Sequence, residues 1–165
     1  MTPDELLERL RPRFPDVVVA RGQAILTVDR ENLLETLDGL RADADLAFDV
    51  LSGVTATDWP GRRPRFWLAY ELYSLEHRHR LRVKVGVADG DAIVPSVTHV
   101  FPTANFQERE VFDLFGVAFD GHPDLRRILM PEGWEGHPLR KTEELGGVNT
   151  QYKGAFIPPV DKRTT

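Results

Sequence analysis

RFWLAYELYSL (residues 65–75) and LRVKVGV (residues 81–87), separated by EHRHR (residues 76–80), decide the fold class. In the second run Leu81, Val83, Val85 and Val87 alternate with Arg82, Lys84 and Gly86. That is the side-chain period of a strand with one face buried. The first run is aromatic-rich, as strands often are. Upstream, Leu46–Thr57 alternates loosely and predicts a third long strand. Two shorter β-rich runs, Val17–Val19 and Ala24–Val28, flank Arg21-Gly22, which reads as a hairpin turn. Helices bracket this pair. Thr2 caps the first, with Pro3 at its first position and Glu5 completing a Thr-x-x-Glu capping box, and Leu6, Leu7 and Leu10 form its apolar stripe. Asp29 is expected to cap the second, in which Leu33, Leu34, Leu37 and Leu40 fall at helical spacing. The order helix, two strands, helix, three strands predicts an α+β fold. We expect a small mixed, mostly antiparallel sheet with helices packed on one face, followed by an extended irregular C-terminal tail.

Composition narrows the function classes. The 165 residues carry 41% hydrophobic and 28% charged side chains, which suits one soluble domain with a core. No run approaches the roughly 20 apolar residues of a membrane-spanning helix. MTPDELLERL (residues 1–10) has acidic residues where a signal peptide has basic ones, so a cytoplasmic location is expected. Cysteine is absent, which excludes disulfides, cysteine nucleophiles and iron–sulfur clusters held by this chain's own thiolates. The net charge of −5 gives no general affinity for nucleic acid or anionic lipid. Neither GxGxxG nor GxxxxGK[ST] occurs, so no nucleotide-binding loop is expected.

The character of the chain changes at Ala104. Asn105, with Glu108 three residues on, is expected to cap a third helix that stops at Gly116. After Phe119 periodicity fades and Pro and Gly accumulate. The expected organisation is an α+β domain over residues 1–119 and an extended partner-binding tail over residues 120–165. The first part of the tail, through Met130, is expected to pack on the chain's own domain and the remainder to cross a neighbour. Within the tail, Gly121-His122-Pro123-Asp124-Leu125-Arg126 resembles Gly136-His137-Pro138-Leu139-Arg140, which at its simplest is two similar turns. Long stretches without regular structure are usually functional, disordered or committed to a partner.

The densest polar cluster is Glu108-Arg109-Glu110 with Asp113. At 100° per residue, Val111, Phe112, Leu114 and Phe115 form one arc that includes Glu108. Arg109, Glu110 and Asp113 lie opposite, with Arg109 and Asp113 spaced to pair. A carboxylate on an apolar face needs a partner. It is either an anchor bonded to backbone or Arg, or a general acid with a raised pKa. No nucleophile, metal triad or phosphate cradle accompanies it, and the anchor reading is preferred. His77 and His79 would share one face of a strand, but their charged neighbours predict a solvated hairpin rather than a metal site. His99 is expected to be buried. His122 and His137 are expected to hold fixed turns by bonding backbone or a partner. Arg126-Arg127 and Arg140-Lys141 are either solvated charge or contacts to an acidic surface. Trp134 and Arg140 are the expected anchors on a neighbour, since Trp and Arg dominate interface energetics.

The span from Pro95 to Lys141 resembles the complex I 30 kDa subunit family. Glu108, Arg109, Glu110, Asp113, Leu114, Phe115, His122, Arg126, Ile128 and Leu129 match that family's signature at every spacing. VPSVT (residues 94–98), the Ala104-Asn105-aromatic step and GHPLRK (residues 136–141) agree in the flanks, whereas Thr142-Glu143-Glu144 departs from the pattern. The resemblance implies a cofactor-free subunit in the peripheral arm of a proton-translocating NADH–quinone oxidoreductase. It would lie against the D-type quinone-site subunit and a ferredoxin-like iron–sulfur subunit. FMN, iron–sulfur centres, NADH and quinone would belong to the rest of the enzyme. The chain would sit peripherally on the cytoplasmic side of the membrane, held there by other subunits. The signature residues Glu108, Arg109, Glu110, Asp113, His122 and Arg126, together with Trp134, His137, Arg140 and Lys141, would serve interfaces rather than catalysis. Two readings compete. One is the equivalent subunit of a membrane-bound hydrogenase or another donor–quinone oxidoreductase. The other is a free-standing acid/base enzyme using Glu108 and a histidine.

Overall fold

A computed structural model describes residues 1–143 of the chain. Helix α1 (Pro3–Leu10) starts with the expected capping box, the Thr2 hydroxyl accepting from the Glu5 N–H and the Glu5 carboxylate from the Thr2 N–H. Strands β1 (Val18–Ala20) and β2 (Gln23–Thr27) pair antiparallel through Arg21-Gly22. Both turn residues have positive φ, 53° and 73°, the twist a two-residue hairpin loop prefers. A 3₁₀ turn (Arg30–Asn32) then leads into α2 (Leu33–Ala42). The long strands are β3 (Val50–Asp58), β4 (Phe66–Tyr73) and β5 (Arg80–Val87). A short strand β6 (Ile93–Pro95) precedes α3 (Ala104–Phe115), and β7 (Ala118–Asp120) follows it.

The sheet order is β1-β2-β5-β4-β3, antiparallel except where β2 runs parallel to β5. This is the mixed, mostly antiparallel α+β sheet expected. One face is buried: Phe66, Leu68, Tyr70 and Leu72 of β4 face inward with Leu81, Val83, Val85 and Val87 of β5. They share one core with Leu6 and Leu10 of α1, Leu33, Leu37 and Leu40 of α2, and Val111 and Phe115 of α3. The strands β6 and β7, not anticipated, form a parallel pair of their own and clamp the two ends of the α3 unit together.

Four local expectations need correcting. Asp29 does not cap α2. The intervening 3₁₀ turn is held instead by Arg30, which pairs with Asp91 and Glu31 and donates to the Asp91 and Ile93 carbonyls at 3.3 Å each. Asn105 does not cap α3. The helix begins one residue earlier, and the N–H groups of Ala104 and Asn105 are already taken by the carbonyls of Phe101 and Pro102. Asn105 is thus the second residue of the helix rather than its cap. His99 is exposed rather than buried. His77 and His79 lie in the β4–β5 turn, not on a strand face, and His79 is buried. Its Nε2 bonds the Leu46 carbonyl at 2.7 Å while His77 Nε2 bonds that of Ala44 at 2.9 Å, so the rings hold down the loop between α2 and β3. Charged neighbours in sequence mislead there, because they point outward while the imidazoles point in.

Candidate functional site: the α3 helix and its strap

Helix α3 ends where expected, at Gly116 with φ 72°. The helix is amphipathic in a sense the sequence hides, since both Glu108 and Asp113 are fully buried. Glu108 faces β6 and its turn. Its carboxylate accepts from the Ser96 hydroxyl at 2.7 Å and from the Val97 N–H at 2.7 Å. His122 Nε2 stands 3.9 Å away, its ring bonded to the Asn105 carbonyl at 3.0 Å and, through Nδ1, to the Asp124 N–H at 3.0 Å. Burial pushes the Glu108 carboxyl above its ordinary range, against the opposing pull of Ser96, Val97 and His122. The anchor reading is the one the geometry takes, with a hydroxyl and a backbone amide in place of an Arg.

Asp113 lies on the opposite side of α3, and that side is not solvent. Residues 126–140 cross it. Asp113 accepts from Arg127 at 2.8 Å and from the N–H groups of Ile128, Leu129 and Met130 at 3.0, 2.8 and 2.9 Å. Burial alone would raise this carboxyl, but the three amides and Arg127 outweigh it and hold it below the usual carboxylate range. The expected Arg109–Asp113 pair does not form. Arg109 donates instead to the carbonyls of Arg126 and Arg127 at 3.1 and 3.4 Å.

The same strap satisfies the carbonyls that the C-terminal turn of α3 leaves orphaned. His137 Nδ1 bonds the Asp113 carbonyl at 2.9 Å, the Leu139 N–H bonds that of Leu114 at 3.0 Å, and Arg140 Nε bonds that of Phe115 at 2.6 Å. Cationic Arg140 also suits the negative end of the helix dipole. The two Gly-His-Pro turns thus do equivalent jobs. Gly121 and Gly136 both have positive φ, and each following imidazole bonds a backbone carbonyl of α3.

Beyond Arg140 the strap reaches the sheet. The Lys141 N–H donates to Asp58 at 2.8 Å, and Asp58 is gripped by both ends of the Arg65 guanidinium at 2.7 and 2.9 Å. Arg65 also meets Asp89 at 2.7 Å, with Arg140 at 4.0 Å from the same carboxylate. The Arg65 fork, then burial working against it, and the Lys141 amide leave Asp58 below the ordinary carboxylate range. Self-packing does not stop at Met130, and Arg140 is not left for a neighbour. The contact continues to Lys141: residues 137–140 meet the bare carbonyls at the end of α3, and the Lys141 N–H meets Asp58.

Of the ten expected site residues, Glu108, Arg109, Asp113, His122, His137 and Arg140 bring side chains together on α3 and its strap, Arg126 and Lys141 join through backbone only, Glu110 is exposed and Trp134 is half-buried in its own turn. Ser96, Asp58, Arg65 and Asp89 join them without being singled out by sequence, since the last three lie far from the signature and Ser96 sits in its flank, just past the end of β6. Among the described residues no group of three or more His, Cys, Asp or Glu side chains is arranged to hold a metal ion, and no helix is long and apolar enough to cross a membrane.

The family model for the respiratory-chain NADH dehydrogenase 30 kDa subunit matches residues 26–149. The C-type subunit of the NADH-quinone oxidoreductase of Salinispora arenicola is 45% identical over an alignment covering 97% of this chain and 69% of that one. Among solved structures, a trypsin-resistant fragment of Nqo5 aligns with a TM-score of 0.64 at 33% identity, over 74% of this chain and 98% of the fragment. A chain of a membrane-bound sulfane sulfur reductase, an archaeal respiratory membrane complex, aligns with a TM-score of 0.60 at 25% identity, over 80% of this chain and 75% of that one.

Proposed function

Because the chain belongs to the family of the respiratory-chain NADH dehydrogenase 30 kDa subunit, we propose that it is the peripheral-arm C-type subunit of a proton-translocating NADH–quinone oxidoreductase. Its role there is structural: it completes the assembly beside the quinone-site subunit and a ferredoxin-like iron–sulfur subunit, on the cytoplasmic side. It holds no redox cofactor; flavin and iron–sulfur centres belong to its partners.

One observation carries the structural reading. Both buried signature carboxylates are fully engaged within the chain, Glu108 by Ser96 and Val97 and Asp113 by residues 127–130. Neither opens onto a cleft where a substrate would meet it, which disfavours a free-standing acid/base enzyme. The signature is a device for folding residues 120–143 over α3. The functional division stays at residues 1–119 and 120–165, and the continuation of the tail from Glu144 lies outside the described residues. Of the signature residues, Glu110, Arg126, Ile128 and Leu129 face outward, with the Arg126 side chain 73% exposed; these are available to a neighbouring subunit.

Likeness to a sulfane sulfur reductase chain fits a module used by more than one respiratory complex, with the electron donor chosen by other subunits. The test is purification of the complex from solubilised membranes of a strain carrying the tagged chain. Co-purification with flavin- and iron–sulfur-bearing subunits and NADH–quinone activity is expected. A soluble chain with turnover of its own would sink the proposal.

A further inference from the structure

Beside the strap the surface opens into a mostly apolar cleft of about 450 Å³, lined by Ala56, Trp59, Pro60, Phe115, Leu139 and Lys141. Trp59 is 46% exposed and Leu139 47%, both high for large apolar side chains. The walls are fixed. Leu139 is pinned by its N–H to the Leu114 carbonyl at 3.0 Å, and Lys141 by its N–H to Asp58 at 2.8 Å. Trp59 Nε1 donates to the Thr57 hydroxyl at 3.1 Å, and the β3–β4 turn closes through Arg62 N–H to the Trp59 carbonyl at 3.1 Å. A preformed apolar notch with a Trp wall has the character of an interface hot spot.

The rim is cationic. Arg62 stacks on the Trp59 ring with its guanidinium carbon 4.7 Å from the centroid, and Lys141 lines the cleft, both exposed. Among the described residues the side chains of Arg62 and Lys141 have no acceptor, whereas the local carboxylates Asp58 and Asp89 are already paired with Arg65. In a chain of net charge −5, this basic collar is a local reversal. Two cations beside one notch are too few and too localised for a nucleic-acid track.

We infer that the Trp59–Leu139 cleft receives one apolar side chain of a neighbouring subunit, presented on a segment whose flanking residues are carboxylates that meet Arg62 and Lys141. This rests on the subunit reading above and names the chemistry of a partner contact for it.

The test places a photo-crosslinking amino acid at Leu139, and as a control at Val18 on the distant β1 edge, in the intact membrane complex. The expected product joins position 139 to a peptide of another subunit in which an apolar residue is flanked by Asp or Glu. Trp59→Ala is expected to lower the chain's retention on the complex after a moderate salt wash by about tenfold or more. Arg62→Glu is expected to weaken retention, with partial rescue by reversing the crosslinked carboxylate. A chain that purifies with the complex but crosslinks at 139 only to lipid, to itself or to a non-acidic segment overturns the cleft proposal alone. Failure to purify with any respiratory complex overturns both readings.

Discussion

Asp113 and Arg127 meet at 2.8 Å, and the other oxygen of the same carboxylate takes three successive backbone N–H groups, from Ile128 to Met130. The chain here forms a nest around an anion that α3 itself supplies. Asp113→Asn keeps the shape but removes the charge and places an amide N–H against donors. The expected cost is about 2–4 kcal/mol, because buried donors are left poorly satisfied. Urea unfolding measures it. Native-state trypsin should also begin to cut after Arg126 or Arg127, and unchanged stability and cleavage would mean the nest does not hold the strap.

Gly116 is constrained twice. Its φ of 72° is in the left-handed region, and a Cβ there would collide with the Arg140 guanidinium and the His137 ring. Gly116→Ala is expected to cost about 2 kcal/mol or more, from backbone strain of about 1–2 kcal/mol plus displacement of the cap. Hydrogen exchange should show lost protection at Leu139 and Arg140 while β4 and β5 stay protected. Protection equal to that of the parent chain would refute this account of the cap.

Legibility in the sequence follows periodicity and short range. The β5 alternation, the α1 capping box and the Gly116 stop are all readable because each is a local signal. A helical wheel puts Asp113 on a solvent face because it knows nothing of a strap arriving from residues 126–140. Asp58 escapes notice for the same reason: besides Arg65, its partner is Lys141, a distant residue whose backbone, not side chain, makes the bond. The near-repeat of Gly-His-Pro is visible, but its meaning needs the orphan carbonyls of α3 to be in place.

His79 predicts a pH response. Its Nε2 is bonded to Leu46, and its Nδ1 is buried with no partner among the described residues. Burial, with smaller contributions from His77 and Arg9, holds its pKa below the ordinary value despite the bond to Leu46. The folded state therefore disfavours the proton. Its contribution to stability is complete above the unfolded pKa of about 6.5 and is lost as pH falls through the depressed folded value. Urea midpoints measured from pH 8 down to 5 should fall on the acid side. His79→Gln should flatten that fall, and an identical slope in both proteins would assign the acid sensitivity elsewhere.

Glu108 carries the opposite sign and separates scaffold from catalyst. Its folded pKa is raised, chiefly by burial, so the folded state favours the protonated form. That contribution is complete below the unfolded pKa of about 4.3 and is lost as pH rises through the raised folded value. Above that value the native chain bears the cost of an ionised buried carboxylate. Glu108→Gln removes that cost. The amide oxygen can still accept from the Val97 N–H, and the amide N–H can donate to Ser96, whose hydroxyl then turns to Thr98 Oγ1, 2.9 Å away. Stability at pH 7 should change by less than about 1 kcal/mol, with normal assembly and normal turnover per assembled complex. Glu108→Ala cannot make those bonds and leaves a cavity, so it should lose about 2–4 kcal/mol and reduce the amount of complex. A general acid would behave otherwise, with Glu108→Gln assembling normally and turnover per complex collapsing. Quantifying assembled complex and NADH–quinone turnover for both variants distinguishes the two outcomes.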